Sequence, residues 1–159
     1  MKNLLTMVLL LWAAVGFSQG KLYHPEADAR QQLEKAVAEA KQEGKHVLVQ
    51  VGGNWCSWCI KFNKFVHSDE EVANYLDSNY VVVHLNYSPE NKNEEILAEL
   101  SYPQRFGFPV FVVLDGEGRN IHIQNSAYLE QDKGYSKKKV IGFFKGWAPA
   151  ALDPKTYSH

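Results

Sequence analysis

The cysteine pair in Trp55-Cys56-Ser57-Trp58-Cys59 constrains the fold of this chain more than any other feature. It follows a β-rich apolar segment, His46-Val-Leu-Val-Gln-Val51, and the break Gly52-Gly53-Asn54, and it precedes a segment with helical spacing. At a helix start, unpaired N–H groups and the macrodipole stabilise a thiolate on Cys56, and Cys59 lies one turn further on. Two thiols so placed can close into a small disulfide and reopen, so the motif predicts a redox site between a strand and a helix.

Residues 1–18 are typical of an export signal rather than of a folded domain. Lys2 supplies a basic start, and the apolar run Leu4–Gly16 is shorter than the ~20 residues that span a bilayer. Small residues at Gly16 and Ser18 have the spacing that signal peptidase requires. We therefore predict cleavage after Ser18 and export to the bacterial periplasm, with an uncleaved N-terminal anchor as the alternative.

Export changes the interpretation of the two cysteines. Outside the cytoplasm most cysteines form structural disulfides, but such bridges gain most from closing long loops, and Cys-x-x-Cys closes almost none. The close pair therefore favours catalysis over a structural bridge. A metal site is the alternative: zinc usually needs four ligands, whereas copper(I) accepts two thiolates. The balance of 17 Lys+Arg against 18 Asp+Glu gives no indication of a nucleic-acid partner.

Periodicity along the chain predicts one α/β domain over residues 26–148, preceded by a loose lead-in at 19–25 and followed by a tail at 149–159. A first helix is expected over Glu26–Glu43 with Gly44 as its stop. The segment 125–135 has no clear period and is expected to be a polar loop. The expected strands are 46–51, 80–85, 110–114 and 120–124, and the expected N-caps of later helices are Ser68 (with Glu71), Asn91 and Ser136.

A strand that leads into Trp-Cys-x-x-Cys and a helix, with Phe108-Pro109 before a later apolar strand, resembles the thioredoxin superfamily over nearly all of residues 26–148. In style the chain is similar to exported bacterial thioredoxin-like proteins with a Trp-Cys-x-Trp-Cys site. The resemblance implies an α/β thioredoxin-like fold, a four-stranded mixed sheet flanked by helices on both faces. The implied strand order is 80–85, 46–51, 110–114, 120–124, with the first two strands parallel and the other neighbours antiparallel.

The same resemblance assigns roles to individual residues. Cys56 corresponds to the family's nucleophile and Cys59 to its resolving cysteine, while Trp55 corresponds to the tryptophan beside the disulfide. Pro109 corresponds to a cis-proline that faces the cysteines. The backbone of Phe108 would then pair with a bound substrate strand.

Two departures from the family pattern bear on proton transfer near Cys59 and on the redox potential of the cysteine pair. Gln50 occupies the place of a buried carboxylate six residues before the first cysteine, and it cannot titrate. We therefore assign proton handling to Gln50 and His84. His84 or a water molecule would accept the proton that the carboxylate accepts in the family. Ser57-Trp58 replaces Gly-Pro, and we expect Trp58 both to face substrate and to shield the disulfide. These changes leave the direction of electron flow open.

The resulting functional prediction is a protein thiol–disulfide oxidoreductase acting on exported protein disulfides, in the reducing direction. No dissociable cofactor or metal is expected, because the electrons reside in the Cys56–Cys59 disulfide. The expected partners are protein disulfides and a membrane electron donor, with no nucleic acid, and the chain is expected to be a monomer. A copper-handling or redox-silent thioredoxin-like binding module is the alternative.

The export prediction is tested by N-terminal sequencing of the protein recovered outside the cytoplasm. Sequencing is expected to begin at Gln19, since cleavage follows Ser18. Recovery of a chain that retains Leu4–Gly16 would contradict cleavage and support the anchor.

Overall fold

The computed structural model describes residues 20–158, so the predicted export signal lies outside the described residues. A four-stranded sheet forms the centre, in the order β2-β1-β3-β4. Its strands are β1 (His46–Gly52), β2 (Tyr80–Asn86), β3 (Val110–Leu114) and β4 (Asn120–Asn125). β1 and β2 are parallel, while β1–β3 and β3–β4 are antiparallel. The predicted strand order and orientations are confirmed.

Helices pack on both faces of this sheet. They are α1 (Ala29–Glu43), α2 (Ser57–Ser68), α3 (Glu70–Asn79), α4 (Glu94–Glu99), α5 (Lys137–Trp147) and α6 (Pro149–Leu152). Short 3-10 turns occupy Pro103–Phe106, Ser126–Leu129 and Pro154–Tyr157. Within residues 20–158, no helix combines the length and apolar character needed to cross a bilayer.

The sheet divides the core into two layers because successive side chains of β1 point to opposite faces. Val47, Val49 and Val51 pack with α1 and α4. Leu48 packs on the other side with α2, α3 and α5, where Phe111 of β3 lies at the centre of an aromatic group. β1 is buried along its whole length, and its carboxyl end leads into the segment that holds the two cysteines.

The first helix ends where predicted but begins later than expected. Gly44 adopts a left-handed conformation (φ 66°) and its N–H donates to the carbonyl of Ala40, a conformation that glycine adopts without a Cβ penalty. The expected start at Glu26 is wrong, because Asp28 accepts a hydrogen bond from the Gln31 N–H and so caps the helix.

Two of the predicted N-caps are also wrong. Ser68 is the last residue of α2 and turns its hydroxyl back to a carbonyl of that helix, while Asp69 caps α3 by accepting from two backbone N–H groups. The Asn91 side chain accepts from the N–H of Asn93, and α4 begins only after Asn93. Ser136 occupies the N-cap position of α5 as predicted, although its hydroxyl makes no capping hydrogen bond.

The segment 125–135 is more regular than the expected polar loop. After a 3-10 turn it forms a small antiparallel ribbon, β5 (Glu130–Gln131) and β6 (Gly134–Tyr135). Tyr135 is buried against the α2 side of the core. The ribbon thereby brings a loop with weak sequence periodicity next to the helix that starts at the cysteines.

Replacement of Phe111 by alanine should lower the free energy of unfolding by about 3–5 kcal/mol, since Phe111 is fully buried between Phe62 and Phe143 and the variant leaves a cavity. Phe106→Ala is the matched control, because Phe106 is 42% exposed and its loss should cost about 0.5 kcal/mol or less. Denaturant unfolding measures both, and equal losses would contradict this account of the core.

Candidate active site

Cys56 and Cys59 form a disulfide at the N-terminus of α2, with an S–S distance of 2.08 Å and a Cα–Cα distance of 5.3 Å. Cys56 is the N-cap, and its sulfur accepts a hydrogen bond from the N–H of Cys59 at 3.2 Å. Cys56 retains 5% exposure and Cys59 none. In the reduced form, the helix N-terminus and this N–H would favour a thiolate on Cys56, the more accessible sulfur.

The backbone of β1 approaches the disulfide so closely that its last residue has to be glycine. A Cβ on Gly52 would lie 2.4 Å from the Cys59 sulfur and 2.8 Å from the Tyr23 hydroxyl oxygen. The next glycine has a similar role, since a Cβ on Gly53 would lie 2.4 Å from Nε1 of Trp55. The Gly52-Gly53 break therefore does more than end the strand: it makes room for the cysteines and the tryptophan beside them.

An aromatic rim borders the disulfide on one side. Trp55 is 54% exposed, and its Nε1 donates to the carbonyl of Tyr87 at 2.7 Å. The ring of Phe108 meets Trp55 edge to face at 5.4 Å and stacks on Tyr87 at 4.8 Å. Phe108 also packs against the cysteine cluster, and its peptide bond to Pro109 is cis, which confirms the cis prediction.

Trp58 lies on the opposite side of the disulfide and is fixed by the β5–β6 ribbon. Tyr135 meets its ring edge to face at 5.5 Å and donates from its hydroxyl to the Trp58 carbonyl at 3.2 Å. The ammonium of Lys61 lies 4.0 Å from the centre of the same ring and donates to the carbonyl of Lys133. Trp58 therefore covers the disulfide as part of a packed wall rather than as a free side chain.

Tyr23 is the site residue that the sequence did not indicate. The expectation of a loose lead-in is wrong at this position, because Tyr23 is fully buried in one cluster with Cys56 and Cys59. Two hydrogen bonds join it to Asn54: the Tyr23 N–H donates to the Asn54 side chain at 3.0 Å, and the Asn54 amide donates back to the Tyr23 carbonyl at 2.7 Å. The only available signal was the apolar pair Leu22-Tyr23 in a polar segment.

Gln50 stands where the family resemblance led us to expect a carboxylate, next to Cys59. Its Nε2 donates to the Tyr23 hydroxyl oxygen at 2.7 Å and to the Cys59 carbonyl at 3.2 Å. His84 pairs with Gln50 in the β1–β2 register and meets the Tyr23 ring edge to face at 5.6 Å. Burial, with a smaller contribution from the charge of His67, lowers the pKa of His84 to about 4, so His84 is neutral at neutral pH.

A groove of about 790 Å³ runs along the outer side of Trp55. Tyr87 and Asn54 line it near the tryptophan, and residues of both charges, Lys21, Glu26, Glu90 and Lys92, line it further out. Within residues 20–158, no three His, Cys, Asp or Glu side chains come together in an arrangement that would hold a metal ion.

A family model described as thioredoxin-like matches residues 28–116. The match covers more than half of the chain, which therefore belongs to the thioredoxin-like family. The matched region holds both cysteines, Gln50, His84 and the Phe108-Pro109 bond. The tyrosine at position 23 and the β5–β6 ribbon lie outside it.

Three relatives of this chain are named for reactions of disulfide bonds. The disulfide bond reductase DsbH of Chlamydia pneumoniae is 30% identical over 96 residues, which cover 55% of this chain and 56% of that protein. The thiol:disulfide interchange protein DsbD of Escherichia coli K12 is 30% identical over 88 residues, which cover only 15% of its length. The chain thus spans about half or less of these curated relatives. A disulphide isomerase structure from Xylella fastidiosa Temecula1 superimposes with a TM-score of 0.70 at 25% identity, covering 79% of this chain and 95% of that one.

Replacement of Gly52 by alanine should destabilise the oxidised protein by about 1–3 kcal/mol, because the new Cβ has no room beside the Cys59 sulfur. Gly142→Ala is the matched control: Gly142 lies in α5 with no atom within 4 Å of an added Cβ, so alanine should stabilise by up to about 1 kcal/mol. Urea unfolding distinguishes the two, and effects of the same sign would contradict the proposed close approach.

The lowered pKa of His84 predicts a loss of stability in mild acid. Between about pH 6.5 and pH 4 the unfolded chain binds a proton at this residue that the folded chain does not, so stability rises with pH across that window. The wild type should therefore lose up to about 3 kcal/mol more than His84→Gln as the pH falls from 7 to 4. Gly142→Ala is the control, because it removes no titratable group, and its pH dependence should follow that of the wild type. Parallel curves for the wild type and His84→Gln would contradict the burial of a neutral imidazole.

Proposed function

We propose that this chain is a thiol–disulfide oxidoreductase that reduces disulfides of exported proteins. The observation that supports this most is the Cys56–Cys59 disulfide on the first turn of α2, bordered by an exposed tryptophan and a cis Phe108–Pro109 bond. A structural disulfide has no need of a helix N-terminus or of an aromatic rim. A disulfide that opens and closes on partner proteins uses both.

In the reducing direction the reaction begins with the reduced pair. The Cys56 thiolate attacks one sulfur of the substrate disulfide, and the other substrate sulfur leaves as a thiolate. Cys59 then attacks the Cys56 sulfur, which forms the Cys56–Cys59 disulfide and releases the second substrate sulfur. Two electrons pass from the protein to the substrate, so no dissociable cofactor is required.

The substrate is proposed to lie across the rim formed by Trp55, Tyr87 and Phe108. Phe108 lies two residues before β3, whose first paired residue is Val110, and its side chain packs against the cysteine cluster. An extended substrate segment could pair with the backbone at Phe108, as the family resemblance implies, while an apolar side chain rests against Trp55. The groove beyond Trp55 would then receive the continuation of the same segment.

The direction of electron flow is inferred from the relatives, and the setting from the predicted export signal at residues 1–18. One relative is a disulfide bond reductase and another a thiol:disulfide interchange protein, both about 30% identical over the matched segment. We therefore favour reduction, in the bacterial periplasm, by a monomer that is recharged by a membrane electron donor. The donor is needed because an oxidising compartment has no soluble reductant that would keep the pair reduced.

Turnover by the cysteine pair is tested with reduced protein and insulin as a disulfide substrate. The wild type should accelerate insulin reduction by dithiothreitol, and Cys56→Ser should fall to the uncatalysed rate because the attacking thiolate is gone. Cys59→Ser should instead accumulate a mixed disulfide with the substrate, since nothing resolves it. Gly142→Ala, remote from the site in α5, is the control and should keep wild-type activity.

Failure of the wild type would contradict the proposal, as would full activity of Cys56→Ser. A wild type without activity that retains copper(I) tightly would support the binding module instead, because two thiolates suit that ion.

A further inference from the structure

The resolving cysteine of this site is fully buried and has no carboxylate at the position where Gln50 stands. Its thiol still has to become a thiolate before it can attack Cys56. Burial disfavours that charge unless a hydrogen-bond donor or a cation stabilises it.

We propose that the Tyr23 hydroxyl donates a hydrogen bond to the Cys59 thiolate during the resolving step. This inference rests on the proposed function, because it assigns a residue to that same reaction. Tyr23 and Cys59 belong to one buried cluster. Their hydroxyl oxygen and sulfur lie 2.8 and 2.4 Å from the same point, the position of a Cβ on Gly52, so the two atoms are neighbours beside that glycine.

The side-chain amide of Gln50 donates to the Tyr23 hydroxyl, so the hydroxyl proton of Tyr23 points away from Gln50. Nε2 of Gln50 lies 3.2 Å from the carbonyl oxygen of Cys59, which can only accept, so the nitrogen and not the oxygen must face this side. The same nitrogen donates to the Tyr23 oxygen at 2.7 Å. The tyrosine oxygen is thus an acceptor towards Gln50, and its own proton is left for another partner. Among residues 20–158, the oxidised protein has no hydrogen bond donated by this hydroxyl, and a disulfide sulfur is a poorer acceptor than a thiolate.

The other titratable groups near the cysteine motif are either uncharged or bound to other partners, so none of them stabilises a Cys59 thiolate. His84 on β2 is neutral at neutral pH because burial lowers its pKa to about 4. Tyr135 on β6 is itself buried and donates to the Trp58 carbonyl. Lys61 on α2 is held over Trp58 and donates to the carbonyl of Lys133.

Tyr23 acts as a donor that keeps its proton rather than as a base. Burial raises the pKa of its hydroxyl well above the ordinary tyrosine value. In the resolving step the Cys59 proton passes to the substrate thiolate released in the first step. The Cys59 thiolate, held by the Tyr23 hydrogen bond, attacks Cys56; the S–S bond of the protein forms, and the bond from Cys56 to substrate breaks.

The experiment measures the pKa of Cys59 in the reduced Cys56→Ser protein by NMR, where the Cβ chemical shift of the one remaining cysteine reports its ionisation. Tyr23→Phe keeps the ring and removes the donor, so the Cys59 pKa should rise by about one to two units, the effect of losing a hydrogen bond to a charged group. Tyr80→Phe is the matched control, because Tyr80 is also buried but donates to the Phe144 carbonyl, and the Cys59 pKa should not change.

If Tyr23→Phe does not fold, a second variant tests the same hydrogen bond. Incorporation of 3-fluorotyrosine at position 23 retains the shape, and because burial keeps the phenol neutral, the more acidic hydroxyl is a stronger donor, so the Cys59 pKa should fall. An unchanged Cys59 pKa in a folded Tyr23→Phe protein, or in the fluorinated protein, would overturn the inference. Neither measurement requires turnover, so a failed insulin assay would refute the proposed function without deciding the role of Tyr23.

Discussion

The site depends on the close approach of a disulfide to the end of a central strand. β1 is buried along its whole length and ends at Gly52; the chain then reaches the surface at Asn54 and Trp55, and α2 starts at Ser57 with Cys56 as its cap. Only a residue without a Cβ lets the Cys59 sulfur rest on that strand end. The helix N-terminus then stabilises charge on the outer sulfur, while the strand and its neighbours enclose the inner one. The chemical asymmetry between the two cysteines follows from this junction.

The enclosure of Cys59 is built by parts of the chain that are distant in sequence. The lead-in supplies Tyr23, β1 supplies Gln50, and the turn before β3 supplies Phe108. On the other side the β5–β6 ribbon holds Trp58 in place through Tyr135. The hydrogen bonds that Gln50 makes to Tyr23 and Cys59 join uncharged groups, at the position where the family resemblance led us to expect a carboxylate.

The sequence predicted the parts of this arrangement that have a local signal. The apolar strand segments, the Gly44 stop and the position of the cysteines after β1 were sufficient to place the strands and the site, while the strand order was implied by the resemblance to the thioredoxin superfamily. The caps at Ser68 and Asn91 were misassigned because several adjacent residues of each segment can cap, and only the three-dimensional path selects one. These errors moved helix starts by a few residues and left the topology unaffected.

The sequence did not predict the features that depend on contacts between distant parts of the chain. Tyr23 lies in a short polar segment without periodicity, and its burial depends on Asn54, which is distant along the chain. The ribbon ending at Tyr135 has strands too short to produce an alternating pattern. Both features pack directly on the cysteine motif. The residues that enclose the site were therefore harder to predict than the cysteine motif, which has a local signal in the sequence.

The central claim, that the Cys56–Cys59 pair is a reversible redox centre with reducing character, is tested most directly by a redox titration followed by tryptophan fluorescence. Trp55 and Trp58 flank the pair, so the emission should change as the disulfide opens. We expect one reversible two-electron transition with a midpoint closer to the roughly −270 mV of thioredoxin than to the roughly −120 mV of DsbA. A midpoint near the DsbA value would contradict the reducing direction. The absence of a reversible transition would contradict the redox centre itself.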